Sequence, residues 1–303
     1  QMLAGWLQLP CHTHRVVGEV LGLSAQGKNK KLAGVRELYP EKFAPLDDVF
    51  SHIHRGDRLF IGTGCGQPQH LVHALMDYVE AHPNAFFDVE VIHVWTVGVA
   101  PYTDGRFEQN FRHTSFFVGD STREAVNEGL ADYTPVGLSQ VPDLLRRGMI
   151  PVDVALIQTS LPDEHGYVSL GINVDITKTA ADCASTVIAQ VNKNMPRVHG
   201  DSFLSIEDLD FIVPYDEPLL EVTPRATDEV AARIGKYVAR LVRDGDTIQV
   251  GFGRIPNAVA QSLSDKKNLG VHSEILTDGI VQLMKKGAVN NSLKTLNRGK
   301  TVA

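Results

Sequence analysis

Residues 249–256 read QVGFGRIP, and they are the starting point for interpreting the whole chain. The β-branched and apolar residues 247–250 predict a strand, and the apolar spacing after Pro256 predicts a helix that begins at this proline. Gly251 and Gly253 lie between them, where a glycine turn lets the backbone approach a ligand. The first N–H groups of a helix have no internal partner and can receive an anion. Taken alone this pattern is weak, because most such loops only connect a strand to a helix.

The same pattern occurs twice in the chain. Residues 49–75 read VFSHIHRGDRLFIGTGCGQPQHLVHAL, and residues 238–263 read VARLVRDGDTIQVGFGRIPNAVAQSL. The matched positions are Gly56 with Gly245, Asp57 with Asp246, Gly62 with Gly251, Gly64 with Gly253, Pro68 with Pro256, and Leu75 with Leu263. The shared order of helix, Gly-Asp turn, strand, glycine loop and helix predicts a duplicated α/β unit with the same course in both copies.

The two copies differ in the strand that follows. Residues 91–95 read VIHVW in the first copy, and residues 270–274 read GVHSE in the second. If the two histidines correspond, Trp95 occupies the position of Glu274. One half then carries an apolar side chain where the other carries a carboxylate.

Several stretches together resemble one known family. They are GFGRIP, NLGVHSEILTDGIV at 268–281, GAVNN at 287–291, SLPDEHGY at 160–167 and MPRVHGDS at 195–202. From about residue 40 to its end the chain resembles the acetyl-CoA hydrolase and 4-hydroxybutyrate CoA-transferase branch of the family I CoA-transferases. The resemblance implies an α/β fold with two tandem related open domains and mainly parallel sheets. It also implies that coenzyme A is a substrate and that no metal or other cofactor takes part.

The same resemblance assigns the candidate site. It implies that Glu274 is the nucleophile and that it forms a glutamyl-CoA thioester. The loop expected to bind the thioester or its oxyanion consists of Gly251, Phe252, Gly253, Arg254 and Ile255. We expect Glu274 to project into a cleft beside this loop. His272 lies on the same strand face if the strand is regular, where it either orients the carboxylate or packs as a structural residue.

These residues predict a CoA-transferase or acetyl-CoA hydrolase that acts on an acyl-CoA and a small carboxylate. The alternative is a non-catalytic fragment of such an enzyme that binds CoA, another ligand or a partner. Gly62, Gly64 and Gly66 superficially resemble a dinucleotide fingerprint, but the third glycine is misplaced and no acidic residue clearly follows at the required distance. A nicotinamide site is therefore the weaker interpretation.

Composition narrows the class of protein. The chain has 303 residues, 43% of them hydrophobic, with a formal charge of -7, which disfavours a nucleic-acid surface. Three widely spaced cysteines suggest no disulfide framework, and no apolar run approaches a membrane span, so a cytoplasmic location is expected. The segment CHTH at 11–14 invites a metal interpretation, but without a second ligand pair it is left unassigned.

Three regions are predicted. Residues 1–38 form an N-terminal extension, 39–223 the first CoA-transferase-like domain and 224–303 the first part of a second, incomplete one. A helix capped by Thr227 or Asp228 opens the last region, with one apolar face formed by Val230, Ile234, Tyr237, Val238 and Leu241.

The chain departs from the family in two places. It has Gln190 where an acid is expected, and it lacks the later glycine-rich segment that helps to hold CoA in the family. An unfinished sheet exposes an edge and apolar faces, so we expect this chain to be complemented by another chain, to dimerise through the unfinished region, or to be poorly ordered beyond Gly287. Of these, a homo-oligomer is the one we expect.

Overall fold

The computed structural model describes residues 5–7, 25–223 and 226–303, without the side chains of 5–7 and 25–31. These residues form two compact units. The first contains residues 25–197 and 202–222, and the second contains 5–7, 198–201 and the described part of 223–303. Within the described ranges, no helix combines the length and apolar character needed to cross a membrane.

The secondary structure alternates between strands and helices. The strands are β1 Gly5–Leu7, β2 Arg58–Ile61, β3 Val89–His93, β4 Phe111–Ser115, β5 Asp132–Tyr133, β6 Val154–Thr159, β7 Tyr167–Ser169, β8 Thr186–Val191, β9 His199–Gly200, β10 Phe203–Ser205, β11 Phe211–Pro214, β12 Thr247–Ile248, β13 Gly270–Val271 and β14 Thr301–Val302. The helices are α1 Ala25–Leu38, α2 Leu46–Phe50, α3 Gln69–Ala81, α4 Arg123–Asn127, α5 Val141–Arg146, α6 Thr177–Cys183, α7 Glu229–Ala239, α8 Arg254–Gln261 and α9 Asp278–Lys285.

The first unit is built on a seven-stranded parallel sheet of order β11-β8-β6-β2-β3-β4-β5. Successive side chains of β2 point to opposite faces, so Phe60 joins one apolar cluster while Leu59 and Ile61 join the other. Helices α5 and α6 contribute to the first cluster, and α2 and α3 to the second. Both faces are covered, which explains why all six residues of β6 are buried. The predicted α/β fold with a mainly parallel sheet is confirmed.

The second unit has a smaller sheet in which β12 and β13 pair in parallel. Its apolar core includes Val250, Leu263, Val271 and Ile280, which come from the strands, helices α8 and α9 and their connections. A separate antiparallel sheet has the order β14-β1-β9. The predicted incompleteness of this unit stays a prediction.

The duplication is confirmed in the course of the chain and in its hydrogen bonds. Each copy runs helix, strand, glycine loop and helix. In the turn before the strand, the Asp57 carboxylate accepts the N–H of His54 at 2.7 Å, and the Asp246 carboxylate accepts the N–H of Arg243 at 2.8 Å. The glycine before each aspartate is left-handed, with φ of 78° and 85°. This conformation favours glycine and accounts for its recurrence.

The strand pairing fixes which residues of the two copies correspond. Arg58 pairs with Glu90 in the first copy, and Thr247 pairs with Gly270 in the second. Arg58 and Thr247 each follow the matched aspartate directly, so Glu90 and Gly270 are equivalent. Residues of β3 and β13 therefore correspond at a difference of 270 − 90 = 180 positions.

The predicted match between the two histidines is consequently wrong by one residue. Adding 180 to His93 gives Ser273, and adding it to Val94 gives Glu274, so Trp95 is not the counterpart of the glutamate. Val94 is buried while Glu274 is exposed. One half still carries an apolar residue where the other carries a carboxylate, although the apolar residue is a valine.

The apolar face predicted for α7 is not a buried one: three of its five residues are exposed, Ile234 and Val238 are partly buried, and Leu241 lies beyond the end of the helix. Asp228 caps this helix by accepting the N–H of Ala231 at 2.7 Å, as predicted, but Val230, Tyr237 and Leu241 are 55%, 63% and 79% exposed. The buried positions of α7 are Ala231, Gly235 and Ala239. A side chain at Gly235 would place its Cβ 2.5 Å from the carbonyl oxygen of Ala258 in α8. The two helices thus pack too closely for large residues at this contact.

Candidate active site

The loop after β12 brings the chain directly into helix α8. The helix begins at Arg254, two residues before the predicted start at Pro256, because Gly253 adopts a φ of 127° at the N-cap and turns the chain early. Gly253 supplies no side-chain cap, and Pro256 has no N–H to donate. The first turn of the helix therefore meets the loop with backbone groups and without a capping side chain.

The loop and the Glu274 segment are joined through Ser273 and Val250. The Ser273 hydroxyl accepts the N–H of Val250 at 3.1 Å and donates to the carbonyl oxygen of Val250 at 2.7 Å. Both residues are buried. Since Gly251 and Glu274 each follow one of these residues, the glycine loop and the carboxylate begin from adjoining points of the chain.

Glu274 itself lies in a bend just beyond β13. The side chains of Glu274 and His272 are both exposed. Ser273, which lies between them, and Val271, which precedes His272, are buried. The predicted shared face of His272 and Glu274 is therefore present. Glu274 is exposed among the described residues, so the prediction that a cleft shields it from bulk solvent is not met there.

The other edge of β13 is held by residues that the sequence alone did not single out. The N–H of Val271 donates to the Asn291 side-chain oxygen at 2.9 Å, and the Asn291 amide donates to the Thr301 hydroxyl at 2.9 Å. The N–H of Ser273 donates to the carbonyl oxygen of Val302 at 2.8 Å. Asn291 has a φ of 58°, a conformation that asparagine tolerates better than most residues. In the sequence, the second asparagine of GAVNN was the signal that could have pointed to this contact with β13.

Arg254 is oriented by an ion pair within the same unit. Its guanidinium lies 2.9 Å from the carboxylate of Asp228, which also caps helix α7. Both side chains are about half exposed, so the pair contributes at most about 1 kcal/mol to stability. Its main effect is to connect the first turn of α8 to the first turn of α7.

The glycine loop of the first copy is filled by side chains of its own unit. Cβ atoms built on Gly62 and Gly66 would lie 2.5 Å and 2.4 Å from atoms of Asn173. At Gly251, the match of Gly62, a Cβ would meet only Pro256, at 3.8 Å, whereas at Gly64 and its match Gly253 it would meet no described atom within 4 Å. Among the described residues, the two loops therefore differ at the first matched glycine, where Asn173 occupies the first loop and the second is open.

The helix after the first loop is also closed internally. The Glu217 carboxylate accepts the N–H groups of Gln69 and His70 at 3.1 and 3.4 Å, and Gln190 donates to the same carboxylate oxygen at 2.6 Å. A negative charge at a helix N-terminus is favourable, so α3 already has its anion. Gln190, the departure from the family pattern, serves here as a donor that a glutamate could not replace.

A metal centre has no support in the part of the chain that the structure describes, where no three His, Cys, Asp or Glu side chains form a group able to hold an ion. The CHTH segment at 11–14 lies outside the described residues.

Fold and site together define the class of this protein: an α/β protein with a duplicated strand-loop-helix unit. One copy is closed by its own side chains, and the other presents a carboxylate beside an open glycine loop. Residues 26–224 match the family model of the acetyl-CoA hydrolase/transferase N-terminal domain. The chain belongs to the acetyl-CoA hydrolase/transferase family, as its sequence motifs predicted. The match begins at residue 26, inside α1, so the resemblance starts earlier than the predicted residue 40.

Relatives extend the similarity over most of the chain. The chain is 45% identical over 266 residues to a 4-hydroxybutyrate coenzyme A transferase of Clostridium kluyveri, covering 88% of this chain and 61% of that protein. It is 40% identical to a succinyl-CoA:acetate/propanoyl-CoA:succinate CoA transferase of Fasciola hepatica, covering 88% and 55%. The chain therefore spans about three-fifths of the length of these relatives.

A solved structure shows the same fold. The 4-hydroxybutyrate CoA-transferase of Porphyromonas gingivalis superimposes with a TM-score of 0.75 at 32% identity, over 88% of this chain and 62% of that one.

Proposed function

We propose that the protein transfers or hydrolyses acyl-CoA thioesters through a glutamyl-CoA thioester on Glu274. The observation that carries this proposal is the double hydrogen bond between Ser273 and Val250, which starts the carboxylate and the open glycine loop from adjoining residues. Family membership supplies the reaction class. The assignment of Glu274 and of Gly251, Phe252, Gly253, Arg254 and Ile255 as the site is part of the proposal.

The chemistry begins with attack of the Glu274 carboxylate on the acyl-CoA carbonyl. This step forms a mixed anhydride and expels CoA thiolate, which then attacks the glutamyl carbonyl. The products are a glutamyl-CoA thioester and the free acyl carboxylate. The thioester energy is retained, whereas a serine nucleophile would form a more stable ester.

The fate of the glutamyl thioester decides the reaction. A second carboxylate attacks it, releases CoA thiolate as a mixed anhydride forms, and becomes the new acyl-CoA when the thiolate returns to its acyl carbon. Water instead releases CoA and regenerates Glu274, which is hydrolysis. The two relatives described above are named as CoA transferases of 4-hydroxybutyrate and of succinyl-CoA:acetate/propanoyl-CoA:succinate. We therefore propose short-chain carboxylates as acceptors.

Each attack creates an oxyanion that needs donors. Helix α8 begins directly after the loop with no side-chain cap at Gly253, which supports its first N–H groups as donors, and in enzymes one such donor contributes about 2.7–4 kcal/mol to transition-state stabilisation. Phe252 and Ile255 are 53% and 44% exposed, so the loop also offers apolar surface to the pantetheine arm. These features support the loop as the thioester-binding element.

Peptide mass spectrometry after incubation with acetyl-CoA tests the proposal. The wild-type chain should carry CoA, less one water, on the peptide containing Glu274. Glu274→Gln should abolish the adduct and leave the unfolding midpoint unchanged, since the exposed amide is nearly isosteric. Glu229→Gln is the matched control, an exposed glutamate of the same unit that should keep the adduct.

The outcomes separate the two functions. An adduct that disappears only in Glu274→Gln supports the enzyme. Net release of free CoA then indicates a hydrolase, whereas formation of a new acyl-CoA that requires an added carboxylate indicates a transferase. Retention of acetyl-CoA with no adduct supports the alternative, a non-catalytic CoA-binding fragment. Turnover that persists in Glu274→Gln would remove Glu274 as the nucleophile. We also propose that the protein is cytoplasmic and forms a homo-oligomer. Sedimentation velocity measures its oligomeric state.

A further inference from the structure

Lys294 is a buried lysine that the proposed chemistry does not use. Its residue is only 4% exposed, an unusual burial for a residue that carries a charge. Its stem is packed as well, because a Cβ built on Gly270 would lie 2.5 Å from the Cγ of Lys294. Only glycine at 270 leaves room for this side chain beside β13.

The Lys294 ammonium donates to two backbone carbonyl oxygens, those of Val271 and Lys300, at 2.7 Å each. Val271 belongs to β13 and lies three residues before Glu274. Lys300 directly precedes β14. One side chain thus connects the strand that leads to the carboxylate with the strand that lies against its end.

The edge of β13 shows why this connection matters. The residue before the strand, Leu269, exchanges backbone hydrogen bonds with the 288–291 segment, and Ser273 donates its N–H to the Val302 carbonyl. At Val271, side chains add to this ladder: its N–H donates to the Asn291 side chain, and its carbonyl accepts from Lys294 where His272 and Val302 form a parallel backbone bridge. The two side chains therefore reinforce the place where β14 joins the end of β13.

A lysine suits this task because it has length and three donors on one atom. The side chain reaches from residue 294 to the Val271 carbonyl of β13 and to the Lys300 carbonyl before β14. Replacing its ammonium by an apolar group would remove a charged donor from both carbonyls, which costs free energy. The strand end would then be held by fewer contacts just before Glu274.

We propose that Lys294 is a positioning residue for Glu274: by holding the Val271 carbonyl to the Lys300 carbonyl, it fixes the strand end that presents the carboxylate to the acyl-CoA carbonyl. The proposal rests on the proposed function of Glu274. It assigns Lys294 no contact with the substrate. Its consequence is that the rate of thioester formation depends on a side chain buried behind the strand.

The test compares Lys294→Met, which keeps the length and removes the donors, with Lys285→Met, which removes an exposed lysine of α9. The rate constant of glutamyl-CoA formation in a single turnover should fall about 10- to 100-fold in Lys294→Met, the size expected for a misplaced reacting group. The acetyl-CoA concentration for half-maximal rate should stay within about twofold, because uniform binding is unaffected. Lys285→Met should match the wild type in both quantities.

Amide exchange measured by NMR provides a readout that does not need turnover. In Lys294→Met, exchange should be faster at Val271 and Ser273, whose N–H groups face the Lys294 side. Exchange at Gly270 and His272 should change little, because their N–H groups donate to residues 246 and 248 on the β12 side.

The outcomes decide the proposal in each case. An unchanged rate constant with a smaller amplitude would mean that Lys294 only supports folding, and it would overturn the positioning role. If the wild type forms no adduct, the proposed function fails separately, and exchange alone decides whether Lys294 fixes the strand end. Unchanged exchange at Ser273 in Lys294→Met would then overturn the inference, and faster exchange confined to Val271 and Ser273 would support it.

Discussion

The Ser273 hydroxyl hydrogen-bonds to both polar groups of the Val250 backbone: it accepts the N–H at 3.1 Å and donates to the carbonyl oxygen at 2.7 Å. Strands β12 and β13 end at Ile248 and Val271, so this side chain extends their pairing beyond the last backbone rung. The glycine loop and Glu274 then leave from the two sides of one contact. A hydroxyl side chain suits this contact because it can donate and accept at the same time.

Ser273→Ala should therefore destabilise the second unit by about 1–3 kcal/mol, because the buried N–H and carbonyl of Val250 lose their partner. Glutamyl-CoA formation should also slow, since the loop and Glu274 lose their common reference point. Urea unfolding and the adduct assay measure the two effects. Ser262→Ala is the control, because the Ser262 hydroxyl donates only to the Ala258 carbonyl, which already accepts the N–H of Ser262. Equal losses in the two variants would contradict the prediction.

A second prediction concerns the close packing of α7 on α8. Gly235→Ala places a methyl group 2.5 Å from the Ala258 carbonyl oxygen, so the helices must separate, at a cost of about 1–3 kcal/mol. Gly34→Ala is the matched control, since no described atom lies within 4 Å of a Cβ at that helical glycine. It should be neutral or stabilise by up to about 1 kcal/mol. Urea unfolding midpoints compare the two, and a Gly235→Ala chain as stable as the wild type would refute the packing.

The pH dependence of the first unit should come from two buried histidines. Burial lowers the pKa of His113 from 6.5 to about 4, and burial followed by repulsion from His113 lowers the pKa of His93. The unfolded chain therefore binds protons that the folded unit does not. Stability is fully present above pH 6.5 and is lost as pH falls toward 4, by on the order of 3 kcal/mol for His113.

Fluorescence of Trp95 in a Trp6→Phe background follows the first unit through urea unfolding at several pH values. His113→Asn should flatten the loss between pH 6.5 and pH 4 whatever its stability at neutral pH. His165→Asn, at an exposed side chain, should keep the wild-type slope. A slope that His113→Asn leaves unchanged would assign the acid sensitivity to other groups.

Local patterns in the sequence predict the strands well because buried parallel strands are continuous apolar runs. Thr186–Val191 and Arg58–Ile61 are strands of this kind, each buried at every residue but its first. Pairing register is a different kind of information. The matching histidines led to an equivalence of Trp95 with Glu274, whereas the backbone pairing places Val94 there, since register depends on contacts far away in the sequence.

Packing between helices was also beyond the sequence pattern. Large apolar residues usually mark the buried face of a helix. In α7 the buried face is marked by small residues, because α8 approaches it so closely at Gly235. Lys294 shows the same limit for polar groups: its two carbonyl partners, on Val271 and Lys300, are defined only by the folded chain.

The contact between Gln190 and Glu217 is a further example, since 27 residues separate them in the sequence and both meet the first turn of α3. Gln190 is fully buried, with its amide donating to Glu217 and its oxygen accepting the N–H of Leu71 at 3.3 Å. A glutamine can do both, whereas a glutamate can only accept. The residue that departs from the family pattern thus allows an anion to remain beside the helix.

Gln190→Glu should accordingly destabilise the first unit by roughly 3–5 kcal/mol at neutral pH, because it buries a second carboxylate 2.6 Å from the first without a donor between them. The loss should shrink as pH falls, because a shared proton restores the hydrogen bond. Glu217→Gln in the same chain should recover much of the stability, since the charge and the donor then exchange places while the α3 N–H groups keep their acceptors. Urea unfolding of the wild type, the two single variants and the double variant gives the coupling energy between the positions. Additive losses, with the double variant weaker than either single one, would show that the two side chains do not act as a pair.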